Sequence, residues 1–371
     1  MSWHWISRPP SVTGASTKFL ALPSPRPKET DIVKTDTERR DASYASQAES
    51  GGLADYLSLA RFDHITKHVF ILPGLIMAYA LREPPLGDLW FSILIGFASA
   101  IAVASANYVI NEWLDREFDA HHPSKSSRAS VSASLSAPVV YGEYVVLAVA
   151  GIALASLLGT MFLLVSFLFL ASGWIYNIEP VRSKDKPFVD VISESVNNPI
   201  RLTLGWLMVD PASLPPLSLL LAYWFGGAFL MGAKRLSEYR DIVAETGRET
   251  LVRYRKSFAG YTAESLTVSC FLYAIISSFF LGVFLIRYRL EYILAFPLIA
   301  GLFGCYLWLS MIKNSIAQRP ERMFRSRRLM ASLTAASVAL LVLSFVDIPE
   351  LADLMERSFV PVDMQRPRTS G

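Results

Sequence analysis

The sequence predicts an all-α integral membrane protein, on three observations. Hydrophobic residues make up 52% of the 371 residues and charged residues only 18%, against about 25% in a soluble domain. Nine apolar runs approach the ~20 residues that carry a helix across a bilayer. Lysine and arginine concentrate in every second loop, which gives the chain a direction through the membrane.

The runs cover 64–81, 89–110, 137–158, 160–177, 199–209, 215–233, 263–286, 291–310 and 329–346. Pro138 and Pro297 fall in or beside spans, where membrane helices tolerate them. The fifth run, PIRLTLGWLMVD, is the shortest; removing it would break the alternation of the loops. The loops after runs two, four, six and eight hold 19 Lys and Arg, and the loops on the other side hold 3. By the positive-inside rule the N-terminus is cytoplasmic, and nine spans put the C-terminus outside. Residues 1–55 are Ser-, Pro- and Thr-rich without apolar period and read as a disordered cytoplasmic tail. Their first 28 residues lack acids and faintly resemble an organellar transit peptide, although a plasma (inner) membrane location is the reading preferred. Residues 56–348 form the transmembrane catalytic domain and 349–371 a second polar tail. Cys270 and Cys305 lie within apolar runs, so neither a disulfide framework nor a zinc site is expected. The net charge of +3 suggests no nucleic-acid partner, and nothing in the sequence sets the oligomeric state.

The second run leads straight into NYVINEWLDREFDAHHPSKSSR, 107–128, where charge is unexpectedly dense. If the helix continues, Asn107, Asn111, Asp115 and Asp119 recur every four residues, each ~6 Å further along one face. Such a ladder suits Mg²⁺, which takes a few carboxylates together with phosphate oxygens and water. Glu112 and Glu117 point elsewhere on the wheel. Pro123 ends the helix, and Lys125 and Arg128 follow in a Ser-rich turn. Metal-binding carboxylates followed by cations make an arrangement for a diphosphate; a solvated surface helix with self-pairing charges is the plain alternative. His121 and His122 have no histidine partner that would suggest a transition metal.

Two companion loops repeat the mixture. YNIEPVRSKDKPFVDVISESVNNPIR carries Arg182, Lys184 and Lys186, then Asp190 and Glu194 at i,i+4, with Arg201 further on. GAKRLSEYRD carries Lys234, Arg235, Glu238, Tyr239 and Asp241, and a later run, Arg253 to Lys256, reads as positive-inside charge in contact with anionic lipid. Before the first span, Arg61, Asp63, His64 and Lys67 reach the same side. The span interiors are nearly free of charge, with Glu143 an exception near a start, so the site is interfacial rather than the mid-membrane site of a transporter.

NEWLDREFD resembles the first motif, N-D-x-x-D-x-x-x-D, of the UbiA superfamily of intramembrane prenyltransferases, with Asn111, Asp115 and Asp119 on motif positions and Glu112 in place of the first Asp. Within that superfamily, HHPSKSSR resembles the H-P-x-K-x-x-R of the decaprenyl-phosphate phosphoribosyltransferase branch. AKRLSEYRD is similar to that branch's G/A-K-R-x-x-E segment and KDKPFVDVI to its K-x-x-P-x-x-D-V/I run; Lys67 in ITKH is similar to a lysine before the first span. The resemblance covers about 58–346. Two departures stand out: Ala129 follows Arg128 where the branch has proline, and the second D-x-x-x-D motif of aromatic-acceptor enzymes is missing after the sixth span.

The resemblance implies a UbiA-like bundle of nine helices with a cytoplasm-facing polar site, a transferase, and Mg²⁺ as cofactor. The implied reaction moves a 5-phosphoribosyl group from soluble phosphoribosyl diphosphate to a polyprenyl phosphate held in the bilayer. Asp115 and Asp119 would hold the metal, with Asn111 assisting and Glu112 reaching it through water. Lys125 and Arg128 would meet donor phosphates, and Lys234, Arg235 and Glu238 would line the opposite wall. Lys67, Lys184, Asp190 and Tyr239 complete the expected substrate-binding set. One alternative keeps the fold but transfers an isoprenyl group from an isoprenyl diphosphate to a hydrophobic acceptor; another is a non-catalytic lipid-binding or transport protein.

Overall fold

The computed structural model describes residues 51–62, 68–82, 87, 89–121, 125–312, 315–318 and 325–351. The chain separates into two units, Met1–Ala48 and Glu49–Gly371, and all described residues belong to the second. Lys67, Asp63, His64, His122 and Pro123, together with most of both expected tails, lie outside the described residues.

The described residues are helical, with no strand among them. In chain order the helices are α1 Leu53–Leu59, α2 Leu72–Arg82, α3 Leu89–Asp119, α4 Ala129–Ser132, α5 Ala137–Ser156, α6 Thr160–Asn177, α7 Val189–Ser195, α8 Asn197–Leu207, α9 Leu217–Thr246, α10 Arg248–Tyr254, α11 Ala263–Tyr288, α12 Phe296–Ser310 and α13 Arg327–Leu343. A helix stands at each of the nine apolar runs. Those in α3, α5, α6, α9, α11 and Leu290–Ser310 are long and apolar enough to cross a membrane, so the chain is a multi-pass membrane protein. Their outward faces are apolar, with Trp90, Leu94, Val146 and Phe279 exposed, as lipid contact requires.

Local chemistry explains where the helices begin. Pro138 and Pro297 both sit in the first turn of their helices, where the missing N–H has no intrahelical partner to lose. Thr262 caps α11 by accepting from the Ser265 N–H at 3.1 Å. The first described helix starts at Leu53, slightly inside the expected tail.

The fifth apolar run differs most from a simple span. It is carried by one short helix, α8 of 11 residues, which follows the 7-residue α7 across Val196. Alone, α8 is roughly 16 Å long, about half a bilayer core. It lies inside the bundle, with every residue from Asn198 to Leu207 buried. Glycines permit this: a Cβ on Gly74 of α2 would come within 1.9 Å of the Leu202 carbonyl oxygen, and one on Gly205 within 2.1 Å of the Ile71 carbonyl oxygen. The α2 and α8 backbones therefore touch, as small residues allow in membranes.

Two apolar cores flank α8. One joins Ala100, Val103 and Ala104 of α3 to Phe162 and Phe169 of α6 and Leu204 and Leu207 of α8. The other joins Leu202 to Leu219 of α9, Phe284 of α11, Ile299 of α12 and Ala336 of α13. Helices α3 and α9, of 31 and 30 residues, are roughly 45 Å long and outrun the ~30 Å hydrocarbon layer. Their polar C-terminal turns are linked by Lys125, which pairs with Asp119 of α3 and feels Glu238 of α9.

Candidate active site

The first wall of the site is the end of α3, where the i,i+4 ladder is realised as one continuous helix. Asp115 Oδ1 accepts from Lys184 Nζ at 2.5 Å and from Arg182 Nη2 at 3.2 Å. Asp119 Oδ2 accepts from Arg128 Nη1 at 2.5 Å, and Lys125 Nζ lies 3.5 Å from its other oxygen. Contrary to the expectation from the wheel, Glu112 does not point elsewhere. Seven residues before Asp119, it lies on the same helix face, buried, and shares Arg128 with Asp119 while also pairing with Arg61. The Asn111 Oδ1 is buried with no hydrogen-bond partner, and so is that of Asn107, whose Nδ2 donates to the Phe169 carbonyl at 2.8 Å.

The basic turn that reaches Asp115 is held by unusual backbone. Arg182 and Phe188, neither of them glycine, adopt φ of +27° and +64°, a conformation that persists only where surrounding contacts hold it. The Phe188 N–H donates to the Tyr261 hydroxyl at 2.6 Å and the Phe188 ring packs edge-on against Tyr261. Lys184 is thereby buried between Asp115 and the Asn177 side chain, 2.8 Å away. Burial pulls the Lys184 ammonium down to about 8, even though Asp115 opposes the shift. Lys125 is lowered for the same reason, with Asp119 and Glu238 countering in part.

The second wall is a hub on α9. Arg235 is 2% exposed and meets three carboxylates: Asp190 at 3.3 Å, Glu194 at 2.7 Å and Glu238 at 3.3 Å. Asp190, fully buried, also accepts from the Tyr261 hydroxyl at 2.5 Å and the Ser257 hydroxyl at 3.1 Å. Arg255 approaches Asp190 at 3.4 Å and donates to the Tyr176 hydroxyl at 2.6 Å, which in turn donates to Glu194 at 2.8 Å. Burial works against the Glu194 charge, but Arg235 and Arg255, helped by Lys234 and the Tyr176 hydroxyl, outweigh it and hold the carboxyl at about 2. Lys234, beside the hub, has no carboxylate within 4 Å among the described residues, although Glu238 and Glu194 are near enough to act on it.

Lys125 connects the walls: it pairs with Asp119, lies 5.7 Å over the Tyr254 ring, and feels Glu238 on the other side. Thus Asn111, Asp115, Asp119, Lys125, Arg128, Lys184, Asp190, Lys234, Arg235 and Glu238 converge. Tyr239 turns instead into an apolar cluster with Leu236, Tyr254 and Phe258. Asp241 is also drawn aside, with an oxygen 2.8 Å from Gln318 Nε2. Lys67 lies outside the described residues.

One expectation needs correction. The run Arg253 to Lys256 is not uniformly a lipid-facing basic patch, because Arg255 folds inward to Asp190 and Tyr176 while Arg253 and Lys256 stay exposed. Arg255 is extended (φ −151°, ψ 109°), so its side chain leaves the opposite face from its neighbours. The flanking buried Tyr254 and Phe258 were the available signal. Tyr176, Arg182, Ser257 and Tyr261 likewise belong to the site and were not singled out as site residues from sequence.

The donor set fits a divalent cation of one kind. Among the described residues no three His, Cys, Asp or Glu converge to hold an ion by themselves. An unpartnered amide oxygen and two carboxylates in line suit Mg²⁺ in the mode where substrate phosphates complete its shell. The cavity of about 990 Å³ between α11 and α12, lined by Phe271, Phe279, Phe296 and Phe303, is apolar and offers no such chemistry.

The family model of UbiA prenyltransferases matches residues 69–344. The chain belongs to the UbiA prenyltransferase family. Prenyltransferases of this family are transferases, which favours an enzyme over a non-catalytic lipid-binding or transport protein. The fold is similar to a UbiA homolog from Archaeoglobus fulgidus solved with DMAPP and Mg²⁺, with TM-score 0.56 and 18% identity over 79% of this chain and 100% of that one. It is also similar to a digeranylgeranylglyceryl phosphate synthase (TM-score 0.51, 12% identity, 79% and 94% covered) and to an apo UbiA homolog from Aeropyrum pernix K1 (0.52, 16%, 75% and 98%). At these identities the likeness is one of fold. An uncharacterized protein of Sinorhizobium fredii, y4nM, is 27% identical over 192 residues, 50% of this UbiA-family chain; the chain spans about a third (36%) of that relative's length.

Proposed function

We propose that this UbiA-family chain transfers a 5-phosphoribosyl group from phosphoribosyl diphosphate to a polyprenyl phosphate, using Mg²⁺. The single observation that carries this reading is the state of the second wall. Asp190, Glu194 and Glu238 are all engaged by Arg235 or Arg255, and Asp241 is drawn off to Gln318. Among the described residues, Asp119 of the α3 ladder is held by cations that remain about a quarter exposed. The ladder is therefore better placed than the buried second wall to give carboxylates to a metal, and cations outnumber carboxylates in the rest of the site. That composition suits one metal-bound diphosphate surrounded by cations better than a pair of acid motifs. The motifs HHPSKSSR, AKRLSEYRD and KDKPFVDVI support the same branch.

Asp115, Asp119 and Asn111 would hold Mg²⁺, with Glu112 acting through water. When bound, the ion neutralises charge growing on the departing diphosphate. Lys125 and Arg128 release their carboxylate contacts to take donor phosphate oxygens, while Lys184 stays on Asp115. Lys234 approaches from α9, and Glu238, oriented by Arg235, accepts from ribose hydroxyls. An acceptor phosphate oxygen forms a bond to the anomeric carbon as the bond to diphosphate breaks, and the electron pair leaves with the diphosphate. The acceptor is already anionic at neutral pH, so no general base is needed. Cations aimed at the leaving group supply the main stabilisation of the transition state. The catalytic domain is 56–348, and the charge asymmetry of the loops supports a cytoplasmic N-terminus and a site open to cytosolic donor at the plasma (inner) membrane.

Isoprenyl transfer is the second reading, favoured by the likeness to the Archaeoglobus homolog solved with DMAPP and with GPP. Purified protein with Mg²⁺, polyprenyl phosphate and ribose-labelled phosphoribosyl diphosphate should move label into the organic phase, and EDTA should stop it. No transfer, with labelled isoprenyl diphosphate consumed in the presence of an acceptor panel, would replace the first reading by the second.

A further inference from the structure

Below the site, where α3, α6, α8 and α9 meet, lies a cation that none of the steps above employs. Arg201 of α8 is 7% exposed. Its Nη2 donates to the Tyr108 hydroxyl at a long 3.4 Å, and its guanidinium lies 5.0 Å over the Phe169 ring. Its Nε is buried with no hydrogen-bond partner. Among the described residues no carboxylate lies within 4 Å of it. A buried guanidinium without a counter-charge is costly, and in a membrane protein such a group marks a place where an anion belongs. Nε and Nη2 form one edge of the guanidinium fork, the edge that grips two oxygens of one phosphate.

The level of this group in the bundle identifies which phosphate. Tyr108 lies seven residues before Asp115 on the continuous α3, roughly 10 Å deeper than the charged wall, and its contact with Arg201 sets the guanidinium at that level. That separation is of the order of a ribose ring carrying its diphosphate. A donor anchored on Asp115 and Asp119 would turn its anomeric carbon toward Arg201, at the depth where a lipid-borne headgroup enters. An apolar isoprenyl tail at the same depth would meet a bare guanidinium.

We propose that Arg201, assisted by Tyr108, binds the phosphomonoester of the lipid acceptor and presents its oxygen to the sugar. The assignment rests on the phosphoribosyl-transfer reading for the identity of the lipid. The test needs no donor: binding of a short-chain polyprenyl phosphate, the matching polyprenol and phosphatidic acid is titrated against the full-length protein in detergent. Wild type should prefer the polyprenyl phosphate to the polyprenol by about tenfold or more, a difference typical of a charge-assisted bidentate contact. Arg201→Met should erase that preference while leaving polyprenol affinity unchanged. Tyr108→Phe should lower it about two- to fivefold and Arg201→Lys should keep part of it, which preserves the test if the methionine variant fails to fold. A preference that survives in Arg201→Met overturns the proposal, as does phosphatidic acid binding as tightly as the polyprenyl phosphate, which would make the site one for phospholipid. Arg201-dependent preference without any phosphoribosyl transfer would support the phosphate site while refuting the reaction.

Discussion

The two walls use the same residue types in opposite ways. On α3, Asp119 is held by Arg128 and Lys125, whose side chains are about a quarter exposed (27% and 26%). On α9, Arg235 and Asp190 are 2% and 0% exposed, and Asp190 takes bonds from Tyr261 and Ser257 as well. Part-exposed cations exchange partners more readily, even on a buried carboxylate, whereas a fully buried network fixes geometry and fails badly when one partner is lost. The difference teaches that the cations on Asp119 are poised to change partners, while the α9 charges, and Lys184 buried on Asp115, hold the chamber in shape. Loop 247–261 adds to that rigidity, since Leu251, Tyr254 and Phe258 pack against Leu236 and deliver Arg255 to Asp190.

The sharpest way to break the comparison is at Asp119. Asp119→Asn removes a carboxylate proposed to hold the metal, and turnover should fall by at least about 10²–10³-fold. Its partners are part-exposed although Asp119 itself is only 5% exposed, so stability should change by about 1–2 kcal/mol, less than at the hub. Detergent-phase thermal unfolding alongside turnover separates the two. A folded variant with normal turnover would remove the ladder from the mechanism.

Arg235→Leu should act the other way round. It strands Asp190, Glu194 and Glu238 around an apolar side chain, and loss of one partner of a buried network costs about 3–5 kcal/mol. The thermal midpoint and the yield of folded protein should both drop before any kinetic effect can be read. A variant as stable as wild type would show that the hub carries no structural role.

The contrast between the walls also explains what the sequence disclosed. The α3 ladder was legible because four positions in helical register announce one face, and the helix does continue through Asp119. The hub was half legible: Lys234, Arg235 and Glu238 share a helix, and Asp190 and Glu194 stand one turn apart. Arg255, Ser257 and Tyr261 were not, because they arrive on an irregular segment where no period fixes direction. Nor could hydropathy show that 199–209 would be a short helix buried at the centre. That depends on Gly74 and Gly205 facing each other across a contact between segments over a hundred residues apart.

The smallest expected effect tests whether Lys125 serves the exchanging wall. It bridges toward Glu238 yet among the described residues has one carboxylate, Asp119, within 4 Å, so its removal should leave the fold intact. Lys125→Ala should raise KM for the diphosphate donor by about tenfold, equivalent to ~1.4 kcal/mol, with little change in KM for the lipid. Lys256→Ala is the internal control: that ammonium is 56% exposed and 3.6 Å from Asp185, and its loss should change neither constant beyond about twofold. Equal effects of Lys125→Ala on both substrates would move Lys125 from the donor to the general electrostatics of the chamber. An effect of Lys256→Ala as large as that of Lys125→Ala would mean that charge near the mouth, rather than contact with the donor, sets its affinity. A tenfold effect confined to Lys125 and to the donor would instead require direct contact, because a field acting at longer range would be felt at Lys256 as well.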